Sequence, residues 1–379
     1  MTKVLGIIGG GQLGMMIAEA AKDMTEEISK IIVLDPTENC PAAQVGAEQI
    51  VGDFKDKEAI MELAKKSDII TYEIESGDSD VLKEAQSFAE INPSPETLRI
   101  IQDKFLQKTF LRDNKLPVPD FIKIDNISDL EEGLKKFGYP ALLKARRDAY
   151  DGRGNYKVDS SNEIQDAWDY FKGQKLMLEK FVPFKMEVSV IASRNTCGQI
   201  KSFPLVENIH EDNILRQTIA PARIEEKVSK KAEEIANETM NVLKGAGVFG
   251  IEMFVTNENE ILINEIAPRV HNSGHHTLQS SKTSQFQQHL RAILGLELGE
   301  VELIHPTIMY NILGSKGFEG EYAPIEIFEK NIFLKMYGKK ISKPKRKLGH
   351  LNIVAENESI EDLLKKIEVI KEKTVVRPA

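Results

Sequence analysis

Several clusters of residues in this chain have the types and spacing to act on a polyphosphate. One is Gly9-Gly10-Gly11-Gln12-Leu13-Gly14, a GxGxxG pattern between the strand-like run Val4 to Ile8 and the helix-like run Leu13 to Ala21; Asp35 closes the next apolar run. Glycines at such a turn let a phosphate approach the amides at a helix start, and an acid about 20 residues on can hold ribose hydroxyls. Taken alone, the pattern fits a dinucleotide, another phosphate or sugar phosphate, or simply a tight turn. A second cluster runs from Lys144 through Arg146, Arg147, Tyr150, Asp151, Gly152, Arg153 and Gly154 to Asn155, after the apolar stretch Ala141 to Leu143. A glycine-containing loop with these cations can close over a triphosphate while Lys144 acts as a fixed charge beneath it. A solvated basic hairpin is the other reading. No GxxxxGK[ST] sequence occurs, which excludes the P-loop mode.

The acidic chemistry lies in Gly250 to Val255 and Ile261 to Ile266, separated by a turn at Asn257 to Asn259. If these runs pair with Thr256 opposite Ile261, Glu252 falls opposite Glu265. Like charges on adjacent strands are costly unless something offsets them, and magnesium bridging triphosphate oxygens takes hard oxygen ligands of this kind. A solvent-facing acidic pair is the alternative, but both acids sit inside apolar runs. Asn264 points the other way in an ideal strand and needs a bulge or twist to contribute. Next comes Ala267-Pro268-Arg269-Val270-His271-Asn272-Ser273-Gly274-His275-His276, where Pro268 and Gly274 disfavour a zinc-binding helix and no HExxH is present. Arg269 and His271 suit anion clamping or proton donation. Two weaker signals remain. Glu179-Lys180-Phe181-Val182 ends a strand and has backbone groups for a base edge, with Glu187 placed to hold ribose hydroxyls; Lys339 to Lys347 is a basic stretch suited to a phosphate or to a solvated surface.

Positioning these groups takes several elements, and 379 residues provide two or three domains at roughly 100 to 200 residues each. Hydrophobic residues at 41% and charged residues at 29% describe a globular chain, not a disordered one. The net charge of −9 gives no global attraction for nucleic acid or anionic lipid, so a polyanion needs a local basic pocket. Cys40 and Cys197 form no CxxC, which fits a reducing cytoplasm rather than a disulfide framework or a zinc site. Neither a signal peptide nor an apolar run of about 18 residues is visible. The pattern predicts a Rossmann-like α/β unit over residues 1–116, an α+β unit over 117–302 with lobes at about 117–180 and 181–302, and a small β-rich unit over 303–379. Within these, a continuous helix is expected over Glu96 to Asn114, and Ser128 and Asn162 are the expected helix caps.

The combination resembles the ATP-grasp superfamily, and within it the 5-(carboxyamino)imidazole ribonucleotide synthetase (PurK) family of purine biosynthesis. The resemblance spans nearly the whole chain. It is carried by IIGGGQLGMM at 7–16, VLDPTENCPA at 33–42, TYEIE at 71–75, YDGRGN at 150–155, EKFVPFKMEVSV at 179–190, NEIAPRVHNSGHHT at 264–277 and RKLGHLN at 346–352. It implies an ATP-grasp architecture with an N-terminal Rossmann-like domain, and a two-step reaction. ATP phosphorylates bicarbonate to carboxyphosphate, and the carboxyl unit passes to the amine of 5-aminoimidazole ribonucleotide.

By matching position, the resemblance assigns Lys104 and Lys144 to the ATP phosphates, Ala149, Tyr150, Asp151, Gly152, Arg153, Gly154 and Asn155 to the loop above them, and Glu179, Lys180, Phe181 and Val182 to adenine. Glu187 takes the ribose, with His210 and Asn264 also at the nucleotide, while Glu252 and Glu265 take magnesium, or manganese in its place. Tyr150, Asp151, Arg153, Arg269, His271 and Lys347 belong to carboxylation, and Gln12, Leu13, Glu73, Lys339 and Arg346 to the ribonucleotide. The resemblance further implies a homodimer with neither a nucleic-acid nor a membrane partner. This chain departs from the family pattern at Glu75-Ser76-Gly77 and at the lysine-rich 343–345. The competing readings are another ATP-grasp ligase, such as a formate-dependent glycinamide ribonucleotide transformylase, an NAD-dependent oxidoreductase, and a nucleotide sensor without turnover.

Overall fold

The apolar runs of the N-terminal region pair side by side in a five-stranded parallel sheet. The computed structural model describes residues 2–147 and 154–379. In it, Glu48–Val51, Ile28–Asp35, Lys3–Ile8, Ile69–Tyr72 and Glu90–Ile91 are neighbours in that order. Leu5, Ile7, Ile8, Val33 and Leu34 are fully buried because helices cover both faces, which is why these strands read as continuous rather than alternating apolar runs. The helix Gln12–Lys22 follows the glycine turn. A Cβ on Gly14 would lie 2.3 Å from the carbonyl oxygen of Gly9, itself held at φ +97°. Backbone cannot yield as a side-chain tip can. Gly14→Ala is therefore expected to lower unfolding free energy by about 1–3 kcal/mol, the range for overpacking; urea denaturation measures it, and an unchanged midpoint would refute the close approach.

The expected helix over 96–114 is two helices, Pro95–Gln102 and Lys104–Asp113. Asp103 causes the break: its backbone is extended, and its carboxylate accepts from the amides of Phe105 and Leu106 to cap the second helix. The same carboxylate binds both arms of Arg146 at 2.9 and 2.6 Å. The helix Ile127–Phe137 is capped by Asn126 in a capping box with Asp129, not by Ser128, because the chain turns helical earlier than the Ser128/Glu131 spacing suggests. Asn162 is not a cap either. It lies inside the 3-10 turn Ser161–Glu163 that leads into Ile164–Tyr170.

A four-stranded antiparallel sheet, in the order Phe121–Ile124, Leu176–Lys180, Ala141–Ala145 and Asn155–Val158, carries Lys144 and Glu179 on adjacent strands. The remaining major sheet has nine strands among the described residues. It runs from Ile261–Ala267 through Gly247–Thr256, Phe184–Arg194, Val206–Glu211 and Ile214–Ala220 to Thr307–Leu313, Lys347–Val354 and Ile332–Met336, with Ile200–Ser202 beside Phe184–Arg194. The boundary expected at 302/303 thus falls between strands of one continuous sheet. The strand beginning at Lys347 and the strand bearing Glu252 share that sheet, which fixes the basic C-terminal stretch relative to the acidic hairpin.

Candidate functional site

The acidic hairpin starts one residue out of the expected register: Val255, not Thr256, faces Ile261. A bulge then takes up Asn264, and Glu252 does lie opposite Glu265. The hairpin's outer strand is a sheet edge, and its outward backbone groups are taken by the helix Lys104–Asp113 and the segment after it. Ile263 N–H donates to Pro117 and its carbonyl accepts from Lys108 Nζ at 3.0 Å, while the Gln107 amide both donates to and accepts from the backbone of Ile266. That clasp leaves Asn264 out of the ladder between Ile263 and Glu265.

Lys104, at the start of the clasping helix, pairs with Glu265 at 2.5 Å, and His271 Nε2 lies 3.3 Å from Glu252 Oε1. Burial acts to raise the Glu252 carboxyl, but the hydrogen bond from His271 and the nearby cations His210 and Lys104 act against it and hold the carboxyl below the usual range. Burial acts to lower the Lys104 ammonium; the charge and hydrogen bond of Glu265 outweigh it and raise the pKa. Paired hard-oxygen donors with adjacent cations fit a divalent cation shared with substrate phosphates. Two protein carboxylates do not complete such a shell, and the substrate's oxygens would supply the rest. No cluster of three or more His, Cys, Asp or Glu side chains suited to a metal occurs among the described residues.

On the facing lobe, Lys144 Nζ donates to Glu179 Oε1 at 2.6 Å, and Lys108 pairs with Glu179 Oε2 at 2.9 Å. Glu179 is 1% exposed. Its side chain orients lysines and is not presented to a base, so any contact to adenine from Glu179, Lys180, Phe181 and Val182 falls to the backbone and to the half-buried Phe181 and Val182. Glu187 accepts from His210 at 2.8 Å across the sheet, and the charges of Glu252 and Lys347 both reach His210. A cavity of about 380 Å³ opens beside Lys104 and Glu265, lined also by Glu75, Arg146 and Arg147.

The glycine turn holds an anion of its own. Glu73 accepts from the amides of Gly11 at 2.5 Å and Gly14 at 2.8 Å, and Asp35 accepts from Gly10 and Thr37, both at 2.8 Å. These are the amides a pyrophosphate would need and the acid a ribose would need, so the dinucleotide reading loses its site. Gln12 instead faces the C-terminal basic stretch: Lys339 Nζ donates to Gln12 Oε1 at 2.8 Å and to the Lys347 carbonyl at 2.9 Å. Arg346 is anchored on the Ile341 carbonyl. Leu13, expected at the ribonucleotide, is 6% exposed and packs into the core with Met16 and Ile17. Arg269 pairs with Glu75 at 3.0 Å, beside the cavity. Ala149, Tyr150, Asp151, Gly152 and Arg153 lie outside the described residues; of that loop, Gly154 and Asn155 are described, with Asn155 beginning the strand next to Lys144.

Sequence reasoning from residue types missed Lys108, Asp103 and Glu75. The first two are single polar residues in a helix-like run, and their partners Glu179 and Arg146 are distant in the chain. The only available signal was for Asp103, a helix-capping residue type preceding Phe105 and Leu106.

Comparison with known proteins adds an independent line. Residues 1–102 match the ribonucleotide synthetase preATP-grasp domain, 109–286 the ATP-grasp domain, and 307–365 the phosphoribosylaminoimidazole carboxylase C-terminal domain. An N5-carboxyaminoimidazole ribonucleotide synthase of Bacillus subtilis is 39% identical over 365 residues, 96% of this chain and 95% of that protein. Phosphoribosylaminoimidazole carboxylases of Ogataea methanolica and Schizosaccharomyces pombe are each 41% identical, but the chain spans only 67% and 65% of their length. Among solved structures, the N5-carboxyaminoimidazole ribonucleotide synthetase of Thermotoga maritima has a TM-score of 0.89 at 43% identity over 100% of both chains. The Aspergillus clavatus synthase in complex with ADP and 5-aminoimidazole ribonucleotide has a TM-score of 0.89 at 35% identity, covering 98% of each.

Proposed function

This chain belongs to the N5-carboxyaminoimidazole ribonucleotide synthase family of ATP-grasp enzymes, and on that premise we propose that it carboxylates 5-aminoimidazole ribonucleotide with bicarbonate at the expense of ATP. The observation that carries the reading is the cross-strand pair Glu252 and Glu265, with Lys104 on one acid and His271 on the other. In this reading a bicarbonate oxygen attacks the γ-phosphorus and ADP leaves. The amine nitrogen then bonds to the carboxyl carbon, phosphate leaves, and the nitrogen loses a proton.

Phosphoryl transfer to a small, weak nucleophile depends on positioning and charge neutralisation more than on covalent chemistry. Lys104 and Lys144 neutralise phosphate oxygens, Glu187 and His210 hold the ribose, and backbone from Glu179 to Val182 meets adenine. Glu252 and Glu265 would hold magnesium, which would supply charge compensation for the triphosphate, with Asn264 at the nucleotide; manganese would suit the same donors. Arg269 and His271 hold the carboxyphosphate anion, with Asp151 orienting the amine and Tyr150 and Arg153 enclosing it; water must be excluded because this intermediate is labile. Gln12, Glu73, Lys339, Arg346 and Lys347 receive the ribonucleotide. A homodimer belongs to the same reading, supported by the family likeness. No helix is long and apolar enough to cross a membrane among the described residues.

The test is phosphate release from ATP. It should require bicarbonate and 5-aminoimidazole ribonucleotide together for coupled product; turnover with formate and glycinamide ribonucleotide instead would assign the chain to the competing ligase chemistry.

Lys339 gives a pH signature. Burial, then the nearby Arg346, lowers its ammonium to about 8, so it is charged below that value and loses its charge above it. KM for the ribonucleotide is expected to rise between pH 8 and 9.5 while KM for ATP changes little. Lys339→Arg, charged throughout, should flatten the profile, and a wild-type KM constant over that range would remove Lys339 from the phosphate site.

A further inference from the structure

Behind His271 runs a chain of buried polar side chains that the reaction outlined above does not use. Thr218 Oγ1 donates to Asn208 Oδ1 at 3.0 Å, Asn208 Nδ2 to Ser189 Oγ at 2.8 Å, and Ser189 Oγ to Ser273 Oγ at 2.7 Å. Ser273 Oγ meets His271 Nδ1 at 2.9 Å. Thr218, Ser189 and Ser273 are fully buried and Asn208 is 6% exposed, so the chain is closed to water competing for its partners. Sheet register builds it. Thr218 is opposite Asn208, Asn208 opposite Glu187, and Ser189 opposite Glu252, which puts these side chains on the face that carries the candidate metal and nucleotide acids.

Each hydroxyl has one proton to give. Ser189 spends its proton on Ser273, and Ser273, having accepted it, directs its own at Nδ1. The Ser273 backbone N–H, which can only donate, also points at Nδ1, at 3.4 Å. A nitrogen facing two donors must offer a lone pair. The reversed chain would require the Asn208 amide to turn over and would set Nδ1–H against the Ser273 N–H.

We infer that Ser273, Ser189 and Asn208 are positioning residues that lock neutral His271 as the Nε2–H tautomer, so that it presents a proton rather than a lone pair to the Glu252 side of the site. The role in turnover rests on the reading of His271 as an anion clamp; the tautomer itself does not. An Nε2–H attracts a carboxyphosphate oxygen, whereas the other tautomer would turn a lone pair toward it. With its proton there and Nδ1 engaged behind, the ring is also unsuited to be a metal ligand.

The experiment combines nitrogen NMR on histidine-labelled enzyme with steady-state kinetics. His271 is assigned by the signals lost in His271→Gln. In the wild type, its Nε2 should carry the proton and its Nδ1 should show the shift of an unprotonated, hydrogen-bonded nitrogen. Ser273→Ala should move both signals toward a tautomer mixture and lower kcat for carboxylation about 10- to 100-fold, the range for loss of an orienting partner, with KM for ATP unchanged. Ser189→Ala, one bond further back, should shift the same signals less, and it carries the test if Ser273→Ala does not fold. A protonated Nδ1 in the wild type overturns the inference, as do variants that leave signals and kcat unaltered. Because the NMR readout needs no turnover, correct signals in a protein that fails to carboxylate would sink the proposed function and leave the tautomer lock standing.

Discussion

Glu265→Gln is expected to reduce ATP turnover in the presence of bicarbonate and 5-aminoimidazole ribonucleotide by about 10²- to 10³-fold, the scale for removing one preorganised electrostatic group. The substitution keeps shape and removes charge. Glu265 stands at the end of the Asn264 bulge, opposite Glu252, where in the proposed reading a second hard anionic donor would let magnesium sit against the triphosphate. Its side chain is 44% exposed, and its partner Lys104 remains able to meet phosphate, so little folding energy should be lost with the Lys104 pair. Circular dichroism and the thermal midpoint should match the wild type within a few degrees, while the magnesium concentration needed for half-maximal rate rises. A variant that keeps turnover within threefold at ordinary magnesium would take Glu265 out of the ligand set.

This pair was legible in the sequence because each acid interrupts an otherwise apolar strand run, a placement that burial alone would not favour. The bulge that completes it was not legible. It depends on Pro117 and on Gln107 and Lys108 of a distant helix taking the edge of the strand, contacts with no local signature. The expected starting register was off by one residue, and the bulge at Asn264 cancelled the error. Lys104 illustrates a related limit. The run from 96 to 114 has one continuous helical pattern; it breaks at Asp103, whose carboxylate caps the second helix locally and also pairs with Arg146, a partner distant in the chain. The GxGxxG turn was visible as an anion-binding shape, but its occupant comes from the end of another strand, so spacing could not distinguish Glu73 from a pyrophosphate. The α/β and α+β alternation was readable throughout, since it depends on local periodicity. The joining of the C-terminal strands to the central sheet was not, since it depends on which edges meet.

Glu179→Gln should be the most destabilising of these substitutions, costing about 3–5 kcal/mol at pH 7, the range for leaving buried charge without its partner. Glu179 lies between Lys108 and Lys144, with all three side chains under 10% exposed. Burial acts to raise its carboxyl, but the two lysines outweigh it and hold it at about 2, below the value near 4.3 of an unfolded glutamate. That contribution is therefore present above about pH 4.3 and fades as pH falls toward 2. Lys108 behaves oppositely. Burial, the largest influence on it, lowers its ammonium to about 8 despite the attraction of Glu179, so between roughly pH 8 and 10.4 the unfolded chain binds more protons and stability gained from this group rises with pH. Removing Glu179 leaves both ammonium groups uncompensated and widens that alkaline gain. The stability gap between Glu179→Gln and the wild type should consequently be at its full size at pH 5, at least as large there as at pH 7, and narrow toward pH 10, as read from urea unfolding at pH 5, 7 and 9.5. Adding Lys108→Met to Glu179→Gln should recover more stability than independent effects would give, because the two side chains share one buried pocket. A gap below about 1 kcal/mol at pH 7, or one that does not change with pH, would mean the triad is not the buried charge cluster that holds Lys144 in place.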